Sequence, residues 1–229
     1  MKKILFFIFY LFIFNCPVVA VIEVDITRGN LDPLPIAISP LHLESGSQDI
    51  KLGDKTIKNV GEKISQLIET NLRRSGLFNP LKKESFVQNP DIAHVKPRFE
   101  DWKLIKAQAL VTGKVIVKEG KLRTEFRLWD VVAAKEIVAL AFSTRPDNWR
   151  RVAHIISDKI YKRLTGEEGY FDSRIIYVSE AGPKTQRIKK LAIMDQDGAN
   201  VKYLTLGNEL VLTPRFSPKN QLVTYLSYF

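Results

Sequence analysis

The chain has 229 residues, 45% hydrophobic, with 35 Lys and Arg against 25 Asp and Glu and a formal net charge of +10. This length allows one or two domains, with enough apolar content for a real core. A single cysteine excludes a disulfide framework.

The first twenty residues stand apart. Lys2 and Lys3 form a positive start, residues 4–14 are apolar, and Val18, Val19 and Ala20 are small enough for cleavage. This is the pattern of a secretory signal peptide cut between Ala20 and Val21. The apolar run is too short to span a bilayer, which needs about 20 residues. Cys16 lies inside this leader, and its acylation is disfavoured because Asn15 stands where a small residue is usual. The exported chain then has no thiol chemistry and must hold together by packing alone in an oxidising compartment. Setting aside Lys2 and Lys3 leaves 33 basic and 25 acidic residues, a balance of +8. The positive charges are spread out rather than run together. They read as solubility and attraction to acidic partners, with no nucleic acid implied.

Residues 21–29 alternate apolar and polar, with Ile22, Val24 and Ile26 on one face of a strand. Two readings stand side by side: an edge strand of the first domain, or a mobile N-terminal strand that adds to a partner's sheet. Residues 30–35 break this strand. A short strand is expected at 35–38 and a polar loop at 45–54. A helix is expected over 59–72, with Val60, Ile64, Leu67, Ile68 and Leu72 on one face. Asn59 and Glu62 have capping-box spacing, and Gly76 is placed to end the helix. Residues 80–97 read as irregular, and 98–106 as a short helical turn around Trp102. A meander comes next over 107–117, 122–129 and 135–142. In its second strand Leu122, Phe126 and Leu128 alternate with Arg123, Glu125 and Arg127. Gly113 marks a bulge or a close backbone approach. A second helix opens at 146–149 and closes at Thr165-Gly166, with Trp149, Val152, Ile156, Ile160 and Leu164 on one face and Arg150, Arg151, Asp158, Lys159 and Arg163 off it. Two amphipathic helices on a mixed sheet make an α/β (α+β) domain. The short join after it predicts a second unit packed against the first.

The rest is short strands and turns: 174–180, 190–194, 201–205, 213–218 and 222–227. Tyr177 and Ser179 recur as Tyr225 and Ser227, a period of 48 residues that signals a repeat array such as a propeller. One full strand set plus an unpaired starting strand is expected, held mainly by the first domain.

The search for chemistry gives little. His42, His94 and His154 lack metal-ligand spacing and read as satisfied structural histidines. Asp195, Asp197 and Gly198 resemble the start of a calcium loop, but no downstream Glu stands at the required spacing, so a hairpin turn is the better reading. Asp91, Glu100 and Asp101 are carboxylates that nothing in the sequence brings together. No catalytic residue, cofactor site or metal site is expected, and the default is a binding protein.

Several ordered motifs then carry a resemblance. Ala107-Gln-Ala-Leu-Val-Thr-Gly113, Leu122-Arg-Thr-Glu-Phe-Arg-Leu-Trp-Asp130 and Asp147-Asn-Trp-Arg-Arg-Val-Ala-His154 are followed by Tyr170-Phe-Asp-Ser-Arg-Ile-Ile-Tyr-Val178, Leu191-Ala-Ile-Met-Asp-Gln-Asp-Gly198 and Leu212-Thr-Pro-Arg-Phe-Ser-Pro218. Together they resemble the TolB family of the Tol–Pal system. The resemblance implies a periplasmic, non-enzymatic protein with an α/β N-terminal domain and a six-bladed β-propeller. Such a protein links the inner-membrane TolQ–TolR–TolA complex to Pal and supports outer-membrane integrity and envelope constriction in cell division. The implied layout is a signal peptide over 1–20, a mobile partner-binding segment over 21–34, the α/β domain over 35–166, and propeller strands over 170–229. The resemblance also implies that Ile22, Glu23, Val24, Asp25, Ile26, Thr27 and Arg28 engage TolA. A six-bladed ring at about 40 to 45 residues per blade needs roughly 250 residues, and residues 171–229 supply about one blade. The chain is therefore expected to carry a truncated propeller, with Pal docking in doubt. Two alternatives remain: the N-terminal part of a periplasmic propeller-containing hydrolase, or a nonfunctional fragment.

Overall fold

The computed structural model describes residues 32–228. The expectations placed on cleavage after Ala20 and on the strand at 21–29 lie outside the described residues. Strand β1 (Leu34–Ile38) runs beside β5 (Phe78–Pro80) and β6 (Ala109–Lys118), parallel to both. The short β2 (His42–Leu43) pairs with β6 beyond the end of β1. From β6 the chain turns back antiparallel into β7 (Lys121–Asp130) and again into β8 (Lys135–Thr144). The sheet order is thus β5-β1-β6-β7-β8, a mixed sheet as the patterning required.

Alternation along the strands divides the core between two faces. Ile36, Ile38, Ala109 and Val111 point to one side, where they meet Ile64, Ile68 and Leu72 of helix α1 (Val60–Arg74). Ala37 and Leu110 point to the other. There they are covered by Ala93 of α2 (Pro90–Ala93), a short helix in a stretch read as irregular, and by Trp102 of α3 (Phe99–Leu104), the helical turn expected at 98–106. The indole N–H of Trp102 donates to Gln88 Oε1 at 3.0 Å, so a buried polar atom is satisfied where the sheet's second face closes. The polar loop expected at 45–54 instead contains β3 (Ile50–Leu52), paired in a hairpin with β4 (Lys55–Ile57). Ile50 is 1% exposed, and with Leu52 packed on the same core it anchors an otherwise polar stretch.

Helix α1 starts where expected, but not by the expected cap. Asn59 sits in the left-handed region at φ 52 and makes no side-chain capping bond. Its role is to tolerate that backbone turn, which Asn does better than most residues. Helix α4 (Trp149–Thr165) buries Trp149, Val152, Ile156, Ile160 and Leu164, all five of its expected apolar face. It packs against α1 on the same side of the sheet. Each buried Leu or Ile on such a face stabilises by about 1.5–3 kcal/mol.

Beyond α4 the strands are β9 (Arg174–Ala181), β10 (Ile188–Asp195), β11 (Lys202–Tyr203), β12 (Leu210–Phe216) and β13 (Val223–Tyr228). They divide three and two rather than four and one. β11, β10 and β9 form one antiparallel sheet, and β12 pairs with β13. The last strand is therefore paired. The cause is local: a short turn brings β13 back onto β12, with Ser217 N–H donating to Leu222 O, so their pairing closes the smaller loop. The repeat residues Tyr177 and Tyr225 lie on β9 and β13. The sheet boundary thus falls inside the sequence repeat, between β11 and β12. β12 lies against β9 and β10.

Gly113 makes a close approach, not a bulge. A Cβ there would stand 2.1 Å from the Glu125 carbonyl oxygen and 2.9 Å from Phe126 Cα across the β6–β7 pair. Gly113→Ala is expected to cost roughly 2–3 kcal/mol through forced strand separation. Arg123→Ala, on the wet face of the same pair, should stay within about 0.5 kcal/mol. Urea unfolding of the two variants checks both values.

Candidate functional site

The residues expected to engage a partner, 22–28, lie outside the described residues. The other singled-out groups do not converge on chemistry. Asp91 Oδ1 lies 3.0 Å from His42 Nδ1, and His42 stacks on His94 at 4.4 Å. Glu100 pairs with Lys103 and Asp101 with Arg98. The three carboxylates therefore face separate partners and do not meet one another.

The structure does bring together one set of residues that stand apart in the sequence. Arg150, His154, Asp158 and Lys162 recur every four residues along α4 and form a polar stripe beside its apolar face. Three of them hold the chain that leaves the helix. Arg150 pairs with Asp197 in the turn between β10 and β11. Asp158 accepts from the backbone N–H of Phe171 at 2.7 Å and of Asp172 at 3.0 Å. Lys162 pairs with Glu168. Beside the stripe, Arg151 pairs with Asp172 at 3.2 Å. Tyr161 meets the rings of Tyr170 and Phe171 edge-on at 5.7 and 5.8 Å. The linker after α4 is thereby tied to the helix along its length.

His154 is the centre of the stripe and is 2% exposed. Its Nδ1 lies 3.0 Å from Asn71 Nδ2 on α1. The same Asn71 nitrogen donates to Ser157 Oγ at 3.0 Å, and that hydroxyl donates onward to Ala153 O. With Ser157 accepting from its nitrogen and Gln196 donating to its oxygen, the carboxamide is oriented so that His154 Nδ1 is an acceptor. The proton of the neutral ring is then on Nε2, which faces Asp197 Oδ2 at 3.5 Å and has no hydrogen-bond partner. On its other side, Asn71 Oδ1 accepts from Gln196 Nε2 at 3.1 Å.

The turn itself is the hairpin expected from Asp195, Asp197 and Gly198. Gly198 takes φ 83, its N–H donates to Asp195 O, and Ala199 N–H donates to Asp197 Oδ1. Donor atoms of His154, Asp195 and Asp197 lie within 4.8 Å of one another. They do not fit a bound cation, because Arg150 already neutralises Asp197 and His154 turns an N–H, not a lone pair, toward it. Burial raises Asp197, but the Ala199 amide, Arg150 and His154 outweigh it and hold the carboxyl below its ordinary value. Burial pushes Asp158 upward against the two amides it accepts from. It pushes His154 downward, against the pull of Asp197 and Asp195. A groove of about 290 Å³ opens beside this seam, lined by charges of both signs that include Arg151, Asp172, Arg174 and Lys202. An i, i+4 polar stripe flanking an apolar helix face was the readable signal for the seam. Its partners in the turn and linker were not readable.

Away from the seam the C-terminal strands are poorly covered. Past Phe171, the buried apolar residues among those described are Leu191, Ala192 and Val211. Leu206, Leu222, Tyr203 and Tyr228 are 82, 63, 59 and 57% exposed. So much open apolar surface is unusual on a folded domain.

Residues 22–137 match the family described as TolB amino-terminal domain, and residues 161–229 match TolB beta propeller domain. The Tol-Pal system protein TolB of Pelagibacter ubique (strain HTCC1062) is 70% identical over 210 residues, covering 92% of this chain and 47% of that protein. The crystal structure of TolB from Acinetobacter baumannii superposes with a TM-score of 0.68 at 25% identity, over 91% of this chain and 47% of that one. The chain thus spans about half the length of these relatives.

The linker is the part of the seam most open to test. Asp158→Ala removes the acceptor for two backbone amides, each hydrogen bond to a charged group being worth about 1.5–3 kcal/mol. Cleavage after Glu167 or Glu168 by a glutamate-specific protease is expected to rise roughly tenfold or more. Lys159→Ala, on the exposed side of α4, should leave the rate unchanged.

Proposed function

The chain belongs to the TolB family, and on that premise we propose that it acts in the periplasm as a non-enzymatic component of the Tol–Pal system. It joins protein partners and transforms no substrate. The observation that carries this reading is the 70% identity to a protein named for that system, running through both the α/β domain and the propeller strands. The open apolar surface of β11 to β13 and of the loops between them supports a role in protein contact. Among the described residues, no helix is long and apolar enough to cross a membrane. That fits a protein carried to the envelope by its leader, with Ala20 and Val21 at the cleavage point.

Contact with TolA is assigned to the segment over 21–34, through Ile22, Glu23, Val24, Asp25, Ile26, Thr27 and Arg28. Alternate apolar side chains and a free strand backbone suit addition to a partner's sheet. Pal is assigned to the propeller side, where this chain supplies five strands. Its binding to this chain alone is expected to be weak.

The test uses the leader-less chain and a variant lacking residues 21–32, each titrated with purified TolA. The deletion should weaken TolA binding by about 100-fold, equivalent to about 2.7 kcal/mol. Equal affinity of the two would overturn the assignment.

A further inference from the structure

We propose that the seam between α4 and the β10–β11 turn is a proton-sensitive latch, closed while His154 is neutral and released when His154 takes up a second proton. This reading does not depend on which partners the chain binds. It rests on the donor and acceptor order around one buried carboxamide. Ser157 and Gln196 together hold the Asn71 amide with its nitrogen toward the imidazole and its oxygen toward Gln196. In that arrangement His154 Nδ1 must accept. An imidazolium carries N–H on both nitrogens. Its Nδ1–H would then face the Asn71 N–H, two donors about 3 Å apart in a buried site.

The conflict is relieved only if the carboxamide turns over or the ring moves away. Turning Asn71 over presents its oxygen to His154. It also sets the Asn71 nitrogen against Gln196 Nε2 and takes the donor from Ser157, so the α1 bond to the β10–β11 turn breaks in its present form. Arg150 on Asp197 and the Gln196 backbone N–H on Ser173 O then remain as the holds on the turn. Protonation at one nitrogen thus acts on a bond to a different element through a shared amide.

Several charged groups face the ring. Asp197 and Asp195 lie on the turn, Asp172 on the linker, and Asp158 and Arg150 on α4 itself. The four carboxylates favour the imidazolium. Burial and Arg150 oppose it and prevail, so the native ring protonates below its ordinary value of 6.5. Linkage gives the sign. A closed seam that binds the proton more weakly than an open one loses stability as pH falls below 6.5, and levels off once the native value is passed. A single proton changes the closed-to-open ratio by at most about tenfold per pH unit in that window.

The experiment tracks hydrogen exchange of the Asp195 to Ala199 amides in the leader-less chain from pH 7.5 to 5.0, corrected for intrinsic rates. Protection should fall several-fold as pH drops below 6.5. His154→Gln, which cannot take up the proton, should flatten this dependence. Asn71→Asp supplies an acceptor for Nδ1–H and should remove or reverse it, which keeps the test open if His154→Gln fails to fold. Imidazole nitrogen spectra at pH 7.5 should show His154 with its proton on Nε2. A pH-independent wild-type protection, an unchanged dependence in both variants, or a proton on Nδ1 would each overturn the latch.

Discussion

One buried carboxamide ties together three elements that are far apart in sequence. Asn71 is fully buried and reaches His154 and Ser157 on α4 and Gln196 beyond β10. A buried amide left without partners costs about 1–3 kcal/mol for each group, so these elements have to meet where Asn71 places them. That requirement sets how α1 and α4 align over the sheet. It also sets where the first C-terminal turn touches the α/β unit. The apolar contacts around it stabilise more in total, but they are less selective about register.

Helix α4 serves two neighbours at once because its period of 3.6 separates two stripes. One stripe, from Trp149 to Leu164, fills the core against the sheet. The adjoining one, from Arg150 to Lys162, holds the turn, the linker and Glu168 by charge and hydrogen bonding. Apolar burial fixes the helix to its own domain. The polar contacts, being short in reach and specific in donor order, fix what comes after it. The linker is therefore an extension of the helix surface.

The apolar faces were legible because period and burial coincide. Val60, Ile64, Ile68 and Leu72 on α1, and Leu122, Phe126 and Leu128 on β7, were read from spacing alone and are buried. Elements held by one or two contacts were not legible. β3 depends on Ile50 and Leu52, α2 on Ala93, and Asn59 works through its backbone angle rather than its side chain. The seam was hidden for another reason. The hydrogen-bond partner of His154, Asn71, is 83 residues away, and a single sequence carries no sign of that pairing. The division of the last five strands was also missed, since the 48-residue repeat shows which strands correspond but not which ones bond.

That division separates the unit that recurs from the unit that folds. The repeat begins at β9 and recurs at β13, while hydrogen bonding starts afresh at β12. The repeat therefore begins in one sheet and finishes in the next. Gain or loss of one whole repeat leaves the joints between sheets unchanged, because each joint lies within the copied stretch. A change of half a repeat would instead leave a hairpin with no sheet to lie against. An array of this kind grows like overlapping roof tiles, and its length can change only in steps that keep the overlap.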